Sequence, residues 1–134
     1  MTHLDTSFLV DLLRERSRNA AGPATRLLET LIDEELAISI HVVCELRAGA
    51  ERSRARDAEH GRVTALCSAL RIVIPDDRFA LEYGRLLGEL QRRRQPIATM
   101  DLMIAAAARV ENAPLVTRNV RDFERVPGLD VIAY

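Results

Sequence analysis

The sequence predicts an α/β fold, a three-layer sandwich in which a short, five-stranded, mainly parallel sheet is flanked by helices. Short apolar runs alternate with longer segments whose apolar residues recur at helical spacing, which is typical of strand–helix–strand units. The chain of 134 residues, 48% of them hydrophobic, has the size and composition of one soluble domain. We therefore expect residues 1–134 to form a single domain.

The first half of the chain is predicted to contain two strands and three helices. A brief strand at residues 2–5 precedes a helix whose apolar positions begin at Leu9. Pro23 follows a glycine and suits the first turn of the second helix. Residues 36–40 form the second strand, which leads into a third helix carrying Val42 on its apolar side.

The second half continues the alternation. A fourth helix covers about residues 55–70, and Asp76 and Asp77 are predicted to form the N-cap region of a long helix that reaches Arg94. Thr99 is predicted to cap the apolar helix that follows. The remaining predicted strands are residues 72–74, 114–117 and 129–132.

The charge balance excludes a general attraction to polyanions. The formal net charge is −1, so binding to nucleic acid would depend on local patches. All 19 basic residues are arginine, and the chain has no lysine. Each cation is therefore a planar, permanently charged fork that suits phosphate oxygens.

The cysteines and the apolar runs indicate the compartment. Cys44 and Cys67 form no paired framework and are predicted to be reduced thiols that pack in the core. The longest apolar run, residues 102–108, is far too short to span a bilayer. We expect a soluble, cytoplasmic protein with no membrane contact.

Four acidic residues stand where ordinary surface acids are uncommon. Asp5 ends the first predicted strand, Glu45 lies just after the second, and Asp122 follows the fourth. Asp101 opens an almost wholly apolar helix. The carboxyl ends of parallel strands meet at one edge of a sheet, where open α/β folds build their sites. We therefore expect the four acids to approach one another at that edge.

Each acid taken alone has an ordinary structural explanation. Asp5 and Asp122 are suited to capping a helix or a turn. Asp101 is favoured near a helix N-terminus by the dipole, and Glu45 is placed to pair with Arg52. The sequence is compatible with each of these explanations.

Gathered together, the four acids favour a metal site. Crowded carboxylates raise one another's pKa unless a cation lies between them. Mg²⁺ takes oxygen ligands, commonly one or two carboxylates and several waters. Two divalent ions about 3.5–4 Å apart can clamp the attacking and leaving oxygens of a phosphodiester. The sequence therefore indicates metal-dependent cleavage of phosphodiester bonds.

The same residues resemble the PIN-domain family, and more narrowly the VapC-type toxins of bacterial type II toxin–antitoxin systems. Four motifs carry the resemblance, occur in the order of the family and span nearly the whole chain. They are Leu4-Asp5-Thr6-Ser7; Ile38-Ser39 leading to Glu45-Leu46 and Gly49; Asp101-Leu102 with Ile104-Ala105-Ala106; and Thr117-Arg118-Asn119 with Asp122-Phe123 and Pro127-Gly128-Leu129.

The resemblance implies a PIN-like sandwich, an endoribonuclease that depends on Mg²⁺ or Mn²⁺, a homodimer, and an antitoxin that blocks the site and connects the complex to DNA. It implies that Asp5, Glu45, Asp101 and Asp122 are catalytic. Asp5 and Asp101 are expected to bind the metal, and the other two acids to position its waters. Four further residues are expected to hydrogen-bond the carboxylates or a phosphate oxygen: Thr6, Ser7, Thr117 and Asn119.

Two arginines and one histidine lie close to these motifs. Arg118 and Arg121 flank the last motif and are candidates for binding the RNA backbone. His41 stands where relatives often carry a small hydroxyl residue. It precedes Glu45 by four residues and lies on the same helix face. We expect His41 to be packed or outward-facing; a role in modifying the site is the less favoured alternative. A nucleophilic pair of His41 with Cys44 is a less favoured alternative.

Two other functions compete with the ribonuclease. A phosphatase or phosphotransferase could use Asp5 as its nucleophile, but Ser7 stands where such sites usually carry a second aspartate, and no lysine is present to hold the phosphate. The main alternative is a non-catalytic PIN-like dimer that acts by binding its antitoxin and, through it, DNA.

Overall fold

The computed structural model describes all residues from Met1 to Tyr134. At its centre is a sheet of five strands in the order β3-β2-β1-β4-β5, and every neighbouring pair is parallel. The strands are β1 (Thr2–Leu4), β2 (Leu36–Ser39), β3 (Arg71–Val73), β4 (Leu115–Val116) and β5 (Val131–Ile132). The predicted α/β class with a five-stranded sheet flanked by helices is confirmed, and the sheet is wholly parallel.

Seven helices connect and cover these strands. They are α1 (Thr6–Ser17), α2 (Pro23–Thr30), α3 (Ile40–Arg52), α4 (Arg56–Cys67), α5 (Asp77–Arg92), α6 (Thr99–Val110) and α7 (Val120–Phe123). The helices pack mainly in pairs, α3 with α4 and α5 with α6. No helix of the chain has both the length and the apolar character needed to cross a membrane.

Side-chain caps explain where several helices begin. Ser39, the last residue of β2, accepts a hydrogen bond from the backbone N–H of Val42 and starts α3. Asp76 caps α5 as predicted, accepting from two backbone N–H groups of its first turn. Pro23 is the first residue of α2, and the Glu15 carboxylate accepts hydrogen bonds from three backbone N–H groups around that helix start, at 2.7–3.0 Å.

Helix α6 runs through the core. Four consecutive alanines, residues 105–108, are buried together with Leu102 and Ile104. Because alanine ends at its Cβ atom, neighbouring elements can approach this helix closely. The packing fixes the direction of α6, and its first turn, which carries Asp101, is thereby fixed as well.

The structure corrects several predicted element ends. Asp5 follows β1 and takes the N-cap position of α1 with extended backbone, although its N–H still bonds to the Val116 carbonyl of β4 at 2.9 Å. Thr99 is the first residue of α6, and Ala98 occupies the cap position without a side-chain hydrogen bond. Ile74 follows β3 and is exposed, because β3 is an edge strand whose pairing ends at Val73.

Cys44 was predicted to pack in the core, and this is wrong. The buried positions of α3 are Val42, Leu46 and Ala50, which recur every four residues. Cys44 lies two residues from Val42, on the opposite side of the helix, and is exposed. Cys67 at the end of α4 is partly buried against the core, and burial raises the pKa of its thiol.

Candidate active site

A polar cavity of about 460 Å³ contains three of the four predicted acids. No hydrophobic residue lines it. Its seven lining residues are Asp5, Thr6, Ser7, Glu45, Asp101, Arg118 and Asn119. Because three of the predicted acids line this cavity together, it is the candidate active site.

The parallel sheet explains why distant residues meet here. β2, β1 and β4 are neighbours, and their carboxyl ends lie at one edge. Asp5 follows β1 directly, Glu45 lies in the second turn of α3 after β2, and Asp122 lies in α7 after β4. Asp101, in the first turn of α6, reaches the same edge from the helix layer.

Hydroxyl groups hold the Asp5 carboxylate. Its Oδ2 atom accepts hydrogen bonds from Ser7 at 2.9 Å and from Thr117 at 2.7 Å. Thr117 is fully buried, and only 4% of Asp5 is exposed. Asp5 therefore occupies the cap position of α1 without capping it, because its carboxylate turns to these hydroxyls and makes no bond to the helix N–H groups.

The Glu45 and Asp122 carboxylates are held in the same way. Thr6 donates to Glu45 Oε1 at 2.6 Å, and the side-chain amide of Asn119 donates to Asp122 Oδ2 at 3.0 Å. Glu45 forms no ion pair, so the alternative of a bridge to Arg52 does not occur. Asp122 lies at the third position of α7 and pairs only at 3.9 Å with an arginine of the next turn.

The pKa of the fourth acid, Asp101, is affected by the charges of the other three. Burial, and then the negative charges of Asp5, Glu45 and Asp122 in that order, together raise the pKa of Asp101 to about 6. The side chain of Asp101 has no hydrogen-bond partner within the chain. Asp122, although it does not line the cavity, is thus close enough to act on the same carboxylate.

The donors in the cavity fit a hard divalent cation. The side chains that can coordinate are carboxylates, hydroxyls and one amide, and Mg²⁺ and Mn²⁺ prefer such oxygen ligands. As oriented here, no three carboxylates converge closely enough to form a metal site. Three of the four are turned toward their own hydroxyl or amide donors, so rotation of a few side chains would be needed to bring their free oxygens together.

The other predicted residues are placed differently from one another. Arg118 lines the cavity, whereas Arg121 is exposed on α7 and does not. His41 is packed, with its ring stacked on Phe79 at 5.2 Å between centroids, and burial lowers its pKa. No hydrogen bond joins His41 to Cys44, so the nucleophilic pair has no geometric support.

Sequence reasoning missed two residues that contact the cavity through Arg118. The Arg118 guanidinium is bound by the carboxylate of Asp11, which also accepts a hydrogen bond from Tyr134. The spacing of Ser7 and Asp11 places both on one face of α1 and was the available signal. Nothing in the local sequence signals Tyr134, because it lies 123 residues away along the chain.

Comparison with known proteins identifies the family of this chain. The family model described as PIN domain matches residues 3–129. The ribonuclease VapC1 of Haemophilus influenzae is 29% identical over 126 residues, covering 94% of this chain and 92% of that protein. The tRNA(fMet)-specific endonuclease VapC of Salmonella typhimurium is 34% identical over 96 residues, covering 72% and 73%.

Solved structures extend the likeness to the fold of the whole chain. The crystal structure of VapBC2 from Rickettsia felis, bound to a DNA fragment from its promoter, matches with a TM-score of 0.90 and 29% identity over 99% of this chain and 98% of that one. The DNA-bound VapBC of Salmonella typhimurium matches with a TM-score of 0.88, the same identity and the same coverage. The chain belongs to the PIN-domain family, within its VapC group.

Proposed function

We propose that the protein is the ribonuclease toxin of a toxin–antitoxin pair and that it hydrolyses RNA phosphodiester bonds with a divalent metal ion. The observation that carries this proposal is the meeting of Asp5, Glu45 and Asp101, from three separate segments, at one polar cavity. Asp122 lies near enough that the charges of all three other acids raise the pKa of Asp101. The names of the relatives, ribonuclease and tRNA-specific endonuclease, support the reaction class.

Within this proposal Asp5 and Asp101 bind the ion. Asp5 is the most buried of the four acids, and Asp101 is the one without a competing hydrogen bond. When bound, the ion would neutralise the crowded carboxylates, polarise the phosphate and make a water acidic enough to attack at neutral pH. We propose Mg²⁺, with Mn²⁺ as a substitute, because the donors are hard oxygens.

The remaining acids orient the attacking water. Glu45 is fixed by Thr6 at 2.6 Å, and Asp122 by Asn119 at 3.0 Å, so each carboxylate keeps an oxygen free to accept a hydrogen bond from that water. The water oxygen attacks phosphorus in line with the leaving oxygen and gives up a proton to solvent. The P–O bond on the opposite side breaks, and the leaving oxygen takes up a proton from solvent. Ser7 and Thr117 act indirectly, by holding Asp5.

The proposed partners follow from the crowded charge and from the solved neighbours. Those neighbours are complexes of a VapC-type toxin with its antitoxin, some of them bound to DNA. We propose that this chain forms a homodimer, acts in the cytoplasm, binds a cognate antitoxin and meets DNA only through it. We expect the antitoxin to place a basic or bulky side chain among the four acids. A complex that forms equally well when all four acids are neutralised would contradict that expectation.

The test is cleavage of total cellular RNA by purified, antitoxin-free protein. Wild type is expected to cut in Mg²⁺ or Mn²⁺ and not with a chelator. Asp101→Asn is expected to lose cleavage while it stays folded and still binds its partner. Asp33→Asn is the matched control, because Asp33 is exposed in the turn after α2 and lines no part of the cavity.

Two results would contradict the proposal. Cleavage that persists in Asp101→Asn would remove the site assignment. Absence of metal-dependent cleavage in the wild type, with partner binding unchanged by Asp101→Asn, would favour the alternative of a non-catalytic dimer that acts through its antitoxin and DNA.

A further inference from the structure

One cation lies at the cavity that three of the acids line. Arg118 is the only basic residue among those that line the acidic cavity. An RNA phosphate that approaches the carboxylates is repelled by them, and a fixed positive charge at the rim lowers that repulsion. The position of Arg118 is therefore of direct consequence for the substrate of the proposed nuclease.

The structure fixes Arg118 from two sides. Its backbone N–H donates to Ser7 Oγ at 3.1 Å, so the residue is linked to the hydroxyl that also holds Asp5. Its guanidinium Nη1 donates to both carboxylate oxygens of Asp11, at 2.8 and 2.9 Å. Arg118 thus links Asp11 to the cavity, and the Asp11 carboxylate also forms a longer ion pair with Arg14, at 3.7 Å.

Asp11 is itself held in place. Its Oδ2 atom accepts a hydrogen bond from the Tyr134 hydroxyl at 2.7 Å, and the Tyr134 ring packs edge-on against the fully buried Phe8 at 5.1 Å. Only 16% of the Asp11 side chain is exposed. An ordinary surface ion pair, such as that of Arg78 with Asp76, has neither feature, since both of its side chains are more than half exposed.

The contact with Asp11 leaves two of the three guanidinium nitrogens of Arg118 without a hydrogen-bond acceptor. Only Nη1 donates to protein, and Nε and Nη2 have no partner in the chain. The Arg118 side chain is 58% exposed. The guanidinium is held through one nitrogen, and its other two nitrogens are free to donate. This arrangement suits phosphate oxygens, whose geometry the planar fork matches.

We propose that Arg118 binds a phosphate of the RNA next to the scissile bond, and that Asp11 and Tyr134 are positioning residues that hold its guanidinium at the cavity. This inference rests on the proposed ribonuclease function and names one point at which that function contacts its substrate. If the Asp11–Arg118 pair served only to stabilise the fold, replacing Arg118 would not change the binding of RNA.

The first experiment measures RNA binding without cleavage. A fluorescent single-stranded RNA is titrated with protein in the Asp101→Asn background at several KCl concentrations. Arg118→Gln is expected to weaken binding and to lower the slope of log K against log[KCl] by about 0.7, the contribution of one phosphate contact on a single strand. Arg78→Gln is the control, because Arg78 is also exposed and paired with an aspartate but does not line the cavity. An unchanged slope in Arg118→Gln, or no measurable RNA binding, would overturn the proposal.

The second experiment tests the positioning residues by cleavage kinetics. Asp11→Asn and Tyr134→Phe keep the charge of Arg118 and are expected to lower kcat/KM for RNA. In the double variant Asp11→Asn/Arg118→Gln, cleavage is expected to be no slower than in Arg118→Gln alone, because Asp11 acts only through that arginine. Losses in kcat/KM that add in the double variant would overturn the positioning role. Arg118→Lys is expected not to restore cleavage, since an ammonium group lacks the planar fork.

The two proposals fail in different ways. If the wild type does not cut RNA but Arg118→Gln still lowers the salt slope of RNA binding, the phosphate contact stands and the nuclease is refuted. A wild type that cuts RNA in a metal-dependent way but shows no change in Arg118→Gln would retain the nuclease and refute the role of Arg118.

Discussion

Replacing Asp101 with asparagine is expected to make the metal-free protein more stable. Asp101 is partly buried beside three other carboxylates, and this environment raises its pKa from 3.8 to about 6. Since the folded state binds this proton more tightly than the unfolded state, the ionised carboxylate destabilises the fold at neutral pH. Asparagine has nearly the same shape and carries no charge.

The size of the effect follows from the shift in pKa. One pKa unit corresponds to about 1.4 kcal/mol, so the full shift would correspond to about 3 kcal/mol. Because the cavity is open to water and the charges are screened, we expect a gain of about 1–2 kcal/mol in the free energy of unfolding. For a protein of this size that gain corresponds to an increase of about 0.5–1 M in the urea midpoint.

The destabilisation by Asp101 should depend on pH. Asp101 is charged in both states above pH 6, where the destabilisation is fully present. As the pH falls from about 6 toward 3.8, the folded state takes up the proton first, and the destabilisation disappears. The advantage of Asp101→Asn should therefore be largest at pH 7.5 in EDTA and should vanish near pH 4. Added Mg²⁺ should stabilise the wild type and reduce the difference.

The assay is urea unfolding followed by circular dichroism at 222 nm, which suits a helical protein without tryptophan. Glu15→Gln is the control of opposite sign. Burial would raise the pKa of Glu15, but hydrogen bonds from Thr25, Ala24 and Gly22 outweigh it and lower that pKa to about 2. Glu15→Gln should therefore lower the midpoint at pH 7.5. A midpoint for Asp101→Asn at or below that of the wild type would refute the argument from crowded charge.

Two further predictions concern the core. The imidazole of His3, which is 1% exposed, has its pKa lowered to about 4, mainly by burial, so stability should fall between pH 6.5 and 4 as the unfolded state takes up the proton first. In the Asp101→Asn background, His3 should account for about 2 kcal/mol of lost stability between pH 7.5 and 5 in urea unfolding. Ala106→Leu should lower the free energy of unfolding by about 1–3 kcal/mol in urea titration, because Ala106 is fully buried in α6 and a larger side chain must displace its neighbours. Arg26→Leu on the exposed face of α2 should have little effect.

Much of the fold was predictable because it depends on local patterns. Apolar periodicity located the strands and the first six helices, and the rule that parallel strands present their carboxyl ends together placed Asp5, Glu45 and Asp122 at one edge. The short helix α7 was not predicted, since four residues are too few to show a period. The ends of elements were wrong by one to three residues, because they depend on contacts with segments that are distant in the sequence.

The fine geometry of the site was less predictable for the same reason. Ser7 and Thr117 meet at Asp5 although they are separated by 110 residues, and Arg118 reaches Asp11 across 107. Such contacts are determined by the order of the strands in the sheet, which no local pattern encodes. The family resemblance supplied the identity of several of these residues, but it did not supply their hydrogen-bond partners.

The choice of donors around the acids is consistent with a metal site. Many carboxylates of this arginine-rich chain pair with arginine, as Glu89 does with Arg93. Asp5, Glu45 and Asp101 form no ion pair at all, and Asp5 and Glu45 are held by neutral hydroxyls. A neutral donor fixes a carboxylate without cancelling its charge, so the negative potential of the cavity remains available to a cation. Thr6→Arg should test this directly. A guanidinium beside Glu45 should lower the pKa of Asp101 and weaken Mn²⁺ binding in calorimetry, whereas Thr6→Ser should leave both close to wild type.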